Sequence, residues 1–151
     1  AVGVALAERQ TWAGLILDGI HVHPVSARAA FAAKSADKLM LVSDAMATVG
    51  AKDASMSLFG ERIAVSGGAL RTEAGTLAGA HLDLAEATRN ATTMLNATAD
   101  EALRMASLSP SAFLGVGGSH GRIAPGARAD VVLFSDALTV HKVWIGGAEV
   151  A

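Results

Sequence analysis

Two short apolar runs most constrain what this chain can fold into: Leu15-Ile16-Leu17 and Leu39-Met40-Leu41-Val42, with an alanine-rich stretch between them. A strand with one wet face alternates apolar and polar side chains, and these runs do not, so each reads as a strand covered on both faces. The first run is followed by the turn pair Asp18-Gly19 and the loop "IHVHP". Between the runs, "ARAAFAAKSA" (Ala27 to Ala36) has the alanine content of a helix, with Phe31 as its core anchor and Ser26 placed to cap it. Strand, helix, strand with short connections is the βαβ unit, whose parallel strands bring their carboxyl ends to one edge. His21, just past the first strand, and Asp44, at the end of the second in "LVSDAM", then occupy equivalent places. That edge is where barrel and open α/β enzymes assemble their sites.

The rest of the chain changes character twice. "SMSLFGERIAVSGGALRTEAGTLAGA" (Ser55 to Ala80) breaks short apolar pieces with glycines, among them the pair Gly67-Gly68, the pattern of a hairpin-like excursion that carries a loop over the site. From Asp83 to Ala99, and again from Asp100 to Leu108, apolar residues recur at helical spacing, and Pro110 is expected to open a short helix through Phe113 and Leu114. Beyond the Gly-rich "GVGGSHG" lie two strand-like runs, Val131 to Phe134 and Val140 to Ile145, with Trp144 expected to pack between sheets. A boundary is expected near Gly121, dividing residues 1–120 from 121–151. The glycine run lacks the Lys and the strand-before, helix-after setting of a phosphate loop, so it reads as a flexible connector.

Composition excludes several classes of function. With 12 Lys+Arg scattered against 14 Asp+Glu, there is no basic stripe for a nucleic-acid backbone or an anionic membrane. No apolar run approaches the roughly 20 residues of a membrane helix, and no signal peptide is legible. The absence of Cys fits a reducing compartment, and the expectation is a cytoplasmic protein. The opening "AVGVALAERQTW" has neither Met nor a clear start signal, which raises the expectation of a larger gene product.

Five motifs, in this order, resemble the C-terminal half of the N-acetylglucosamine-6-phosphate deacetylase family: "DGIHVHP" (Asp18 to Pro24), "LVSDAM" (Leu41 to Met46), "GTLAGA" (Gly75 to Ala80), "SPSAFLGV" (Ser109 to Val116) and "GRIAPGARADVVLF" (Gly121 to Phe134). The last is shared widely among amidohydrolases; "DGIHV" together with "SDAM" carries the resemblance to the deacetylase branch. The resemblance spans nearly the whole chain. It implies an α/β chain forming the C-terminal part of a metal-dependent (β/α)8 TIM barrel over residues 1–120, and the C-terminal strands of a small β-sandwich domain over 121–151. The implied reaction removes acetate from an amino-sugar phosphate.

By that resemblance, Asp44 is the catalytic residue, a general base toward a metal-bound water and then a general acid toward the leaving amine. His21 matches the residue that contacts the sugar phosphate, and the backbone of Leu77 and Ala78 the segment that contacts the acetyl group or sugar. Ala80 stands where the family usually has Ser, so a side-chain hydroxyl is missing there. His21 and His23 form an H-x-H pair, but the resemblance places them late in the barrel, and His23 reads as a loop residue. His81, His120 and His141 carry no assigned role. The implied cofactor is a divalent metal, zinc or iron, bound mainly by a Glu and two His from earlier strands that this chain lacks; the chain supplies no metal ligand. An Arg from a neighbouring subunit is implied at the phosphate, with a homodimer as the full-length enzyme, and the chain alone is expected to be inactive. Two other readings stay open: a dihydroorotase-like or deaminase-like amidohydrolase, and a catalytically silent structural piece in which Asp44 caps a turn.

Overall fold

A computed structural model, describing residues 1–150, realises the strand, helix, strand pattern as a parallel pair. After a short helix α1 (Val2–Ala7), strand β1 (Ala13–Ile16) runs alongside β2 (Leu39–Val42), with Ala13 opposite Leu39 and Ile16 opposite Val42. Helix α2 (Pro24–Lys38) makes the crossover. Leu15, Leu17, Leu39 and Leu41 are all buried, as a strand covered on both faces requires. The cap of α2 differs from expectation. The helix starts at Pro24, and His23, not Ser26, is its cap residue, its Nδ1 accepting the Val25 N–H at 3.2 Å. Pro has no N–H to lose in the first turn and its φ is already helical, so it starts the helix ahead of Ser26.

The glycine-interrupted segment forms a four-stranded antiparallel meander: β3 (Ser55–Leu58), β4 (Glu61–Ser66), β5 (Ala69–Thr72) and β6 (Leu77–Ala80). Its first two turns are two-residue connections, Phe59-Gly60 and Gly67-Gly68, with positive φ at both positions. That is the backbone a right-handed twisted hairpin needs, and it explains the Gly pair.

Helices α3 (Leu84–Met94), α4 (Ala99–Ala106) and α5 (Leu108–Phe113) follow. Asp83 caps α3 through the Glu86 N–H at 2.7 Å, and Thr98 with Glu101 forms a reciprocal capping box on α4. The helical stretch expected through Ala99 therefore stops at Met94, where a left-handed Asn96 turns the chain before the Thr98 cap. Pro110 is the third residue of α5 rather than its first, a position that still forfeits no helical hydrogen bond. The core lies between the parallel strands and these helices, with Leu17, Leu39, Leu82 and Met105 essentially sealed from solvent.

The last sheet is antiparallel: β7 (Val131–Phe134), β8 (Val140–Ile145) and β9 (Ala148–Glu149). The bounds of β7 and β8 are those expected. The Gly115–Gly121 segment is held rather than loose. Its Val116 N–H reaches Ser111 O at 2.9 Å, and a Cβ built on Gly121 would stand 2.3 Å from Ser111 Oγ, so only glycine lets the chain pass so close to α5.

Candidate active site

Asp44 lies two residues past the end of β2, in the left-handed region at φ 50°. Asp tolerates that conformation better than most residues, but it still costs energy, and such strain collects at functional positions. A turn-capping Asp would spend its carboxylate on a nearby backbone N–H. Here Ser43 Oγ takes the Ala45 N–H at 3.3 Å, and among the described residues nothing hydrogen-bonds to the Asp44 carboxylate, which is exposed.

The Asp44 backbone is what joins the two halves of the site. Its carbonyl accepts the Ala80 N–H at 3.1 Å, and Ala45 bridges Ala80 in parallel, so the end of β6 runs alongside the end of β2. Gly79 makes that approach possible: a Cβ there would sit 2.5 Å from Met46 Cγ. Between Leu77 and Ala80 the β5–β6 pairing shifts register, opposite Arg71 and Ala69. Ala78 and Gly79 together face the single residue Leu70 there, so the bulge takes backbone at Ala78–Gly79 out of the ladder while Leu77 stays paired with Arg71. Leu77 is exposed and Ala78 half-buried. Ala80, where the resemblance expects a hydroxyl, is completely buried in the core cluster. A side chain at that position faces packing, not a ligand.

His21 lies on the loop beyond β1, past the same edge of the parallel pair as Asp44. No hydrogen bond or ion pair among the described residues joins the two. The loop is fixed by Asp18. Its Oδ1 accepts the Ile20 and His21 N–H groups, each at 2.9 Å, and its Oδ2 faces His21 Nδ1 at 2.6 Å. Burial works to raise the Asp18 carboxyl, but the hydrogen bonds from the His21 side chain and from the His21 and Ile20 N–H groups outweigh it, helped by the charge of His21. The carboxyl therefore ends below its ordinary range. Asn90 Nδ2 donates to Leu17 O at 2.8 Å, tying α3 to the end of β1 where this loop begins. The β4–β5 turn leans onto the loop, since a Cβ on Gly68 would lie 3.3 Å from Ile20 Cδ1.

From the sequence Asp18 reads only as a turn residue within the "DGIHVHP" motif, and Asn90 and Thr48 carry no site role. For Asp18 the signal was present: an Asp three residues before a His on a turn can reach both backbone and ring. Thr48, 2% exposed, bonds through Oγ1 to His81 Nδ1 at 3.2 Å, a contact across 33 positions that no local pattern encodes. His23 is committed to capping α2.

A metal ion needs three or more converging donors. No group of three His, Cys, Asp or Glu among the described residues could hold one, so this chain's residues do not by themselves fit the divalent cation. No helix among them is long and apolar enough to cross a membrane.

The sequence profile described as Amidohydrolase family matches residues 7–150. The chain belongs to the amidohydrolase family. Enzymes of this family are generally metal-dependent. Among relatives of this amidohydrolase chain, one from Escherichia coli strain K12, provisionally named N-acetylgalactosamine-6-phosphate deacetylase, is 40% identical over 97% of the chain and 87% of its own length. An N-acetylgalactosamine-6-phosphate deacetylase from Shewanella sp. strain ANA-3 is 43% identical over 97% of the chain but only 37% of its own length. The crystal structure of N-acetylglucosamine-6-phosphate deacetylase from Pasteurella multocida superposes with a TM-score of 0.92 at 32% identity, covering 99% of this chain and 39% of that one. The amidohydrolase chain is thus α/β with the fold of part of a deacetylase, and it spans about two fifths of the latter two proteins.

Proposed function

We propose that this chain supplies the C-terminal part of a deacetylase that hydrolyses the amide of an N-acetylated hexosamine 6-phosphate, releasing acetate and the free amine. The observation that carries this reading is the Asp44 carboxylate, exposed at a strand end, held in a left-handed conformation and without a hydrogen-bond partner among the described residues. In the proposed step, Asp44 takes a proton from the attacking water as its oxygen bonds to the acetyl carbon, then delivers that proton to the nitrogen as the C–N bond breaks. His21 holds the phosphate and the Leu77–Ala78 backbone, at the edge of the bulge, the acetyl group or sugar.

In this reading β1 and β2 are the last two strands of a (β/α)8 barrel occupying residues 1–120, and residues 121–151 belong to a small β-sandwich. The divalent cation, zinc or iron, is held by residues outside this chain, and the working enzyme is a cytoplasmic homodimer. The motifs point to the glucosamine epimer. The higher identity to galactosamine-named relatives, 40% and 43% against 34% for glucosamine-named relatives from Bacillus subtilis and Danio rerio, favours the galactosamine epimer as the preferred substrate of the same chemistry.

The test is acetate release from both 6-phosphates by the full-length protein carrying this sequence, with divalent metal, for the wild type and Asp44→Asn. Activity on at least one epimer, with the variant slowed by about three orders of magnitude or more, is expected when a general base is removed. A folded variant as fast as the wild type returns Asp44 to a structural role, and a wild type inert on both sugars turns the assignment to another amidohydrolase.

A further inference from the structure

We propose that Asp18 is a positioning residue for the substrate's phosphate, acting through His21 as a buried counter-charge that fixes which ring nitrogen meets the ligand. The proposal rests on the deacetylase reading for the identity of that ligand. The Asp18 side chain is 5% exposed and that of His21 17%, so their 2.6 Å contact is largely shielded from water. A carboxylate accepts only, so His21 Nδ1 is the donor. Nε2 has no partner among the described residues, and no buried side-chain nitrogen or oxygen among them lacks one, so Nε2 reaches the surface.

This arrangement restricts what His21 can bind. With Nδ1 committed as a donor, a neutral ring presents a lone pair at Nε2, which repels a phosphate oxygen. Only the imidazolium presents an N–H there. A phosphate at Nε2 therefore meets a cationic ring, and Asp18 compensates that cation from its far side in a carboxylate, imidazolium, phosphate line. Both Asp18 oxygens are in use, Oδ1 on two backbone N–H groups and Oδ2 on the ring, so the carboxylate cannot swing away without unmaking the turn. Asp18 moves no proton of the reaction and touches no reacting atom.

Asp18→Asn separates this role from simple turn-making. Its amide oxygen can still take the two backbone N–H groups, which turns an N–H toward Nδ1 and forces the ring proton onto Nε2. Nitrogen-15 spectra of the His21 ring in this chain are expected to show Nδ1 protonated in the wild type and bare in the variant. In the full-length protein, Asp18→Asn is expected to raise KM for the sugar phosphate about tenfold with kcat little changed, the size of a charge-assisted contact. In a His21→Gln background, the same substitution should add almost nothing. A bare Nδ1 in the wild type, or an undiminished Asp18→Asn effect in the His21→Gln background, would overturn the proposal. If the wild type releases no acetate from either sugar phosphate, the deacetylase reading falls separately. Inorganic phosphate shifting the His21 Nε2 signal at about tenfold lower concentration in the wild type than in Asp18→Asn, whose neutral ring donates without the compensated charge, then supports Asp18's role, and equal response in both refutes it.

Discussion

At the scale of single residues, the site is built from side chains whose local surroundings have been arranged around a neighbour. Asp18 also makes a prediction about stability. A carboxyl held below its ordinary value of 3.8 binds its proton less readily folded than unfolded. The stabilisation it contributes is therefore complete above the unfolded value and is lost as pH falls through the folded one. Asp18→Asn should lower unfolding free energy at about pH 7 by roughly 1.5–3 kcal/mol, the range for a hydrogen bond to a charged group. Urea titrations should show this gap closing below about pH 4, where the wild-type carboxyl also takes up a proton. A gap that stays constant down to about pH 2.5 would mean that the charge of Asp18 contributes nothing. Asp44 shows the opposite economy: it sits in a disfavoured conformation and its carboxylate stabilises nothing among the described residues, which is why its presence calls for a chemical explanation.

At the scale of elements, strain is visible where function is not. Ser35 lies inside α2 with φ 55° and ψ 179°, a conformation that essentially only glycine adopts without cost. It interrupts the helix just before the chain enters β2, and its Oγ is only 3.4 Å from the Asp37 N–H, a weak contact. Ser35→Gly should raise stability by about 1 kcal/mol despite the added freedom of the unfolded chain, measurable as a higher urea midpoint at unchanged slope. Destabilisation would show that this backbone is held for another reason. The same contrast explains what was legible in the sequence. The strands β1, β2, β7 and β8 were readable because apolar runs bounded by turn residues are local signals, and the glycine pair Gly67-Gly68 announced a hairpin turn. His23 displacing Ser26 as a cap was not, because Ser is the stronger capping residue type and the earlier start is set by Pro24 in the first turn. The bridge from Ala45 to Ala80 and the bond from Thr48 to His81 were equally hidden. They join segments whose periodicities say nothing of each other, so Asp44 and His21 were legible as candidates while the packing that surrounds them was not.

At the scale of the whole molecule, stability is unevenly spread. The core cluster draws on β1, β2, the end of β6 and helices α2, α3 and α4, and includes no residue of β7, β8 or β9. In that last sheet only the turn residue Leu138 is buried, its carbonyl accepting from Arg89 Nη1 of α3 at 3.1 Å. Val132, Leu133 and Ile145 are about half exposed, and Ile123 beside the sheet almost fully. A three-stranded sheet with so little buried apolar surface opens at low free energy. Hydrogen exchange on this chain should therefore find the amides of Val131–Phe134 and Val140–Ile145 exchanging at least about tenfold faster than those of Leu39–Val42 and of α3, the mark of a separate, weaker cooperative unit. If residues 121–151 form part of a sandwich completed by other strands, as proposed, the full-length protein should slow exchange in β7 and β8 while leaving α3 almost unchanged. Equal protection of sheet and core in the isolated chain would instead mean that the Arg89 tether and the packing of Gly121 on α5 suffice to make one cooperative fold of all the described residues.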